Sequence, residues 1–134
     1  MHLCNDTITI VNAKHDMDED RDVYYPTTIT GVSWYCDIVT VLEKGLKAAN
    51  KYTVRIPVDA DFGGKEYVSP KDYASASDVS GIFTIKNGDT IVRGVVDAVS
   101  SIANLHREYE ALTVMGITDD RRAPNAPHWK VVGA

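Results

Sequence analysis

The sequence predicts a mainly β domain, an antiparallel β-barrel or sandwich of about 7–9 short strands with one or two short helices and a long central loop. Three observations predict it. Apolar residues alternate with period two along most of the chain, from Ile8 and Ile10 to Tyr52, Val54, Ile56 and Val58. Turn residues punctuate these runs at short intervals, and only two stretches read as helix. The chain has 134 residues with 44% hydrophobic and 25% charged residues, enough for one globular core and the expected extent of a single domain over 1–134.

The first strand is read at Thr7–Val11, with Ile8 and Ile10 on one face. The acidic run Asp16–Asp22 follows. Its alternate carboxylates resemble the opening of a calcium loop, but Arg21 stands where the glycine belongs and Thr27 where the bidentate acid belongs. A solvated loop between strands is the simpler reading. Thr28–Cys36 and Asp37–Leu42 are strand-like, and Gly31 interrupts the alternation of Ile29, Val32 and Trp34 as a bend or a bulge would. A turn-rich segment, Glu43–Lys51, leads to the strand Tyr52–Val58, and the two runs form a long hairpin. Pro57 cannot donate to a ladder, which marks an edge or a strand end.

The segment Asp59–Gly81 is too long for a turn and is expected to be a functional loop. Ser69-Pro70-Lys71-Asp72 inside it is a helix start, with a capping serine, proline at the first helical position and an acid at the third. Gly81–Lys86 and Asp89–Val96 flank Asn87-Gly88, the pattern of a hairpin. Val99, Ile102, Leu105 or His106, Tyr109 and Leu112 recur at helical spacing, predicting a short amphipathic helix near 101–110 capped by Ser100 or Ser101, with His106 as a core or boundary histidine. Thr113–Thr118 and His128–Val132 complete the strands, separated by a polar turn with two prolines.

Several function classes are disfavoured by composition and motifs. The net charge of −5 argues against nucleic acid as the main partner. No apolar run is long enough to span a bilayer as a helix, and the first residues do not read as a signal peptide. Cys4 and Cys36 are expected to be reduced thiols. His2, His15, His106 and His128 form no metal-ligand spacing, no cofactor is expected, and Gly63-Gly64 lacks the phosphate-loop context. No catalytic triad follows from spacing, so the expectation is a protein that is not an enzyme. Convergence of Asp59, Asp61 and His106 in one cleft would argue otherwise. Arg121-Arg122, beside Asp119-Asp120 and ahead of His128-Trp129-Lys130, is read first as local ion pairing and otherwise as a contact for phosphate or carboxylate. Trp34 is expected in the core. Trp129 is either core or an interface anchor.

The stretches PTTITGVSWYC, YTVRIPVDADFGGKEYVSPKDYA, FTIKNGDTIVRG and ITDDRRAPNAPHWKVVGA together resemble a family of small prophage proteins from Gram-positive hosts. The resemblance covers nearly the whole chain and is weakest over VVDAVSSIANLHREYEA. Its members sit between capsid and tail genes, which implies a head–tail connector of the head-closure or tail-joining type. The resemblance implies phage portal, adaptor and tail proteins as partners, a homo-oligomeric ring on assembly from a monomer when isolated, and DNA only as passing cargo. It also implies a place in the host cytoplasm during assembly and then in the virion. A tail-associated minor virion protein, or a β-barrel module that binds a ligand or host protein, is the alternative. The family defines no catalytic residues. The candidate interface residues are Asp61, Phe62, Lys65 and Tyr67 in the long loop and Arg121, Arg122 and Trp129 near the end of the chain.

Overall fold

A computed structural model describes residues 6–42, 46–99 and 101–134, with side chains described at 6–36, 51–99 and 101–134. Six strands close into a barrel in which every pairing is antiparallel. With β4 (Glu66–Tyr67) and β5 (Ile82–Phe83), which form a separate parallel pair, the strands among the described residues number eight. The barrel strands are β1 (Asp6–Asp16), β2 (Arg21–Leu42), β3 (Leu46–Pro57), β6 (Thr90–Arg93), β7 (Ala111–Asp120) and β8 (His128–Gly133). Their order is β1-β2-β3-β8-β7-β6, with β6 returning to β1. Two three-stranded meanders thus meet along β3–β8 and β1–β6. Closure leaves no open edge where the ring is complete.

Alternation in the sequence becomes inside and outside of the barrel. Ile8, Ile10, Val54, Ile56 and Val131 are fully buried and share one core with Trp34, Leu112 and Trp129. Gly31 solves a phase problem in β2. Ile29 and Val32 both belong to the core although they stand three positions apart, an odd offset that a regular strand would send to opposite faces. Thr30 pairs with Thr7 and Val32 with Asp6, so Gly31 is the extra residue of a bulge, and its φ of 94° suits glycine. The outer face of β1 and β6 carries a second cluster, Val11 and Val92, which Val96 and Leu105 cover.

Both predicted helices form. The first, α1 (Pro70–Ser75), has Ser69 as its cap, with Oγ accepting from Asp72 N at 3.2 Å, and it buries Tyr73. The second, α2 (Ile102–Glu108), packs Leu105 on the barrel wall, and Ser101 is its N-cap. Ser100 and Cys4 lie outside the described residues. Cys36 is exposed.

The structure corrects the sequence reading in several places, and β1 runs on to Asp16, past the end read at Val11. Thr28–Cys36 and Asp37–Leu42 are parts of one 22-residue strand that begins at Arg21. Leu46–Lys51, read as turn-rich, belongs to β3 and pairs with β2 through Leu42↔Leu46. Pairing with a neighbour extends strands beyond where local composition favours them.

A further correction is the Asn87-Gly88 hairpin. The turn exists, with Asp89 N donating to Lys86 O at 3.3 Å, but its flanks do not pair with each other. β5 pairs with β4, and β6 lies between β1 and β7. Of the two central residues only Gly88 has positive φ, 92°, as in a type II turn rather than the type I′ turn of tight hairpins. That geometry splays the flanks. Segment 82–86 leads Phe83 and Ile85 into the barrel core, and β6 departs into the wall.

Candidate interaction surface

The long loop after β3 folds back over the barrel. Ala60 and Phe62 pack on the core, and Asp61 forms a two-way backbone bridge with Thr30 at 2.9 and 3.0 Å. Gly63 N donates to Asp61 Oδ1 at 3.0 Å, which tightens the turn before Lys65. Lys65 Nζ donates to Pro26 O at 3.0 Å and to Thr27 Oγ1 at 3.1 Å, and partial burial lowers its pKa. Asp61 and Lys65 therefore tether the loop to β2.

Phe62, Tyr67, Arg121 and Trp129 come together although they lie in two distant parts of the chain. Phe62 stacks on Phe83 at 5.3 Å and meets Trp129 edge-on at 6.2 Å. Tyr67 and Trp129 lie 4.8 Å apart, and the Arg121 guanidinium sits 5.3 Å from each of these rings. Asp119 holds that guanidinium, accepting from Nε at 2.9 and 3.0 Å and from Nη2 at 2.6 Å. Arg121's bonds push the Asp119 carboxyl down to about 2. Burial pushes the Tyr67 hydroxyl up. The local ion pairing expected of this segment is present, and its guanidinium is stacked on aromatic faces. Arg122 is exposed next to it. Trp129 is 4% exposed and belongs to the core, and its Nε1 finds no hydrogen-bond partner among the described residues.

A buried polar knot, which the sequence reading missed, pins segment 84–89 to β1. Asn12 Nδ2 donates to Thr84 O at 2.7 Å and to Asp89 Oδ2 at 2.9 Å, and Thr84 N donates to Asn12 Oδ1 at 3.3 Å. Ala13 N donates to Asp89 Oδ1 at 3.4 Å, and Lys86 Nζ lies 4.0 Å from the same oxygen while donating to Ala13 O at 2.8 Å. Burial pushes the Asp89 carboxyl up to about 6 against the opposing pull of Asn12, Lys86 and Ala13. Burial, with Tyr25 and Asp89 nearby, also pushes the Tyr73 hydroxyl up, and that hydroxyl has no partner among the described residues. One signal was legible. Asn12 falls on the inward phase set by Ile8 and Ile10, where a polar residue needs a partner.

Asp59 and Asp61 line one open cleft with Thr30, Gly31, Ala126 and Pro127. His106 is exposed on α2, not a core or boundary residue as its helix-face position suggested, with Nε2 3.4 Å from Thr113 Oγ1, and it is not among the residues lining that cleft. The acidic run closes the β1–β2 turn. His15 contacts Asp20 and Asp22 at 3.2 Å each, and Arg21 pairs with Glu19 at 2.6 Å. Among the described residues no three His, Cys, Asp or Glu side chains are grouped to hold a metal ion.

A six-stranded antiparallel barrel with a folded-back loop over its core is therefore the class of protein in hand. The chain belongs to a family of unknown function, DUF6751, whose pattern it matches over residues 3–134. No curated protein and no solved structure matches it.

Proposed function

We propose that the protein is a non-enzymatic structural subunit of a phage virion, a head–tail connector of the head-closure or tail-joining type that acts through protein–protein contacts. The observation that carries this reading is the ribbon made by β2 and β3. β1 pairs with β2 only as far as Val32, and β8 pairs with β3 only from Tyr52 onward. The ladder from Ile38↔Asn50 to Leu42↔Leu46 therefore runs beyond the ring, and among the described residues neither of its outer edges has a strand beside it. A closed barrel abolishes edges, and this ribbon creates two. Open edges are templates for pairing with another chain.

The resemblance to prophage proteins encoded between capsid and tail genes directs the reading to portal, adaptor and tail proteins as partners. It also directs it to a ring built on them during assembly in the host cell and kept in the virion. The filled barrel favours this over a ligand-binding module, since Phe83 and Ile85, 0% and 1% exposed, pack into the interior that such a module would keep open. The test is molar mass by light scattering, on the protein alone and after mixing with the portal protein of the same gene cluster. A ring-sized species on the portal is expected. A monomer in both samples overturns the reading.

A further inference from the structure

The outer face of the sheet formed by β2, β3, β8 and β7 carries a charge arrangement that the monomer does not resolve. Val54 and Val131 point into the core, so their neighbours Arg55 and Lys130 face outward. The register sets Arg55 directly opposite Lys130, with Ser33 and Thr118 on either side. Like charges in direct cross-strand register repel. Among the described residues no carboxylate pairs with either of them. Asp120, one position along the same face, is occupied by His128 at 3.5 Å. The next row is Tyr35, Thr53, Val132 and Gly116, with Tyr35 56% exposed and Met115, the bulge residue of β7 beside it, 67% exposed. The chain is acidic overall, so two unpaired cations beside Tyr35 and Met115 form a distinct surface.

The β1–β2 turn has the complementary chemistry. Between Asp16 and Asp22 five carboxylates face one guanidinium, and Met17 stands among them 83% exposed. From Asp22 to Tyr35 the β2 strand covers roughly 40 Å of extended chain. The turn and the basic face therefore lie at distant points of one strand, and a turn meets the face of another copy rather than its own.

We propose that the basic-apolar face around Arg55 and Lys130 receives the acidic β1–β2 turn of a second copy of this chain, with Met17 against Tyr35 and Met115. Repeated from copy to copy, such a contact is heterologous, the kind that closes rings. It rests on the connector reading for its biological setting. The physical argument rests on the unpaired Arg55–Lys130 register.

The test is sedimentation velocity at rising protein concentration in low salt. It compares wild type with Arg55→Glu/Lys130→Glu, which reverses the face, and Asp18→Lys/Glu19→Lys/Asp20→Lys, which reverses the turn. Wild type is expected to associate, and salt to weaken the association. Each variant alone should associate about tenfold or more weakly, and an equimolar mixture of the two should regain it, because every turn then meets a face of opposite charge. Arg55→Glu alone guards against a folding artefact, since it places Glu opposite Lys130 and should melt at or above the wild-type temperature while losing association. A wild type that stays monomeric at every concentration, or variants that associate as wild type does, overturns the contact. So does a portal complex that depends on Arg55 and Lys130 while the free chain stays monomeric, because the face would then serve a different acidic partner. A failure to assemble on the portal counts against the connector reading instead.

Discussion

The Asp89 carboxylate accepts a hydrogen bond from Asn12 Nδ2 at 2.9 Å, joining the residue after the Asn87-Gly88 turn to the middle of β1 across 77 positions of sequence. Both residues are buried, at 4% and 0% exposure, so each is the other's replacement for water. The bond explains why segment 84–89 stays against β1 instead of pairing with β6 as a hairpin.

The pH dependence of stability should carry this residue's signature. Its carboxyl titrates at about 6 in the folded chain against an ordinary value of 3.8. The folded state therefore holds the proton more tightly than the unfolded one. Stability from this group is present in full below about pH 4 and is lost as pH rises through 6. The difference of about two pH units corresponds to roughly 3 kcal/mol at most. Urea melts at pH 5 and pH 7.5 should show wild type more stable at the lower pH, and Asp89→Asn should remove that component. An unchanged pH slope in Asp89→Asn would refute the assignment.

Asn12→Ala removes the partner of Thr84 N, Thr84 O and Asp89 Oδ2 together. Leaving these buried groups unpaired should cost about 2–4 kcal/mol. Chemical denaturation at pH 7 measures it, and a loss below the detection limit would mean that water replaces the amide.

Arg121→Ala should uncover the Tyr67–Trp129 pair. The guanidinium lies 5.3 Å from both rings, and its removal should cost about 1 kcal/mol and shift Trp129 emission to the red. A Trp34→Phe background isolates the Trp129 signal. Unshifted emission would place the shielding of Trp129 with other neighbours.

Gly133→Ala should be among the most damaging single-methyl additions in the chain. A Cβ there would collide with the Thr113 carbonyl and stand 2.8 Å from Leu112 Cδ1. Because the obstacle is backbone of the neighbouring strand, relief requires separating β7 from β8, at a cost of about 3 kcal/mol or more. Thermal melting of this variant against Gly81→Ala, where nothing lies within 4 Å, provides the comparison.

The amino-acid sequence carries the class of the fold, the inward phase of β1 and β3, the break in phase at Gly31 and the Ser69 cap. Each follows from short-range chemistry: alternation with period two, the φ freedom of glycine, or a side chain reaching a backbone N–H three residues on. Contacts with distant parts of the chain set the rest. Leu46–Lys51 looks like turn and Asn12–Asp16 is polar, yet both lie in strands because a facing strand supplies their hydrogen bonds. Asn87-Gly88 turns as its dipeptide requires, but where its flanks go is decided by the burial of Phe83 and Ile85 and by the Asn12–Asp89 bond. The meeting of Phe62 and Tyr67 with Arg121 and Trp129, and the Arg55–Lys130 opposition, arise only from closure and register. Periodicity along one chain states which face a residue takes, and only the pairing of strands states which residue lies across from it.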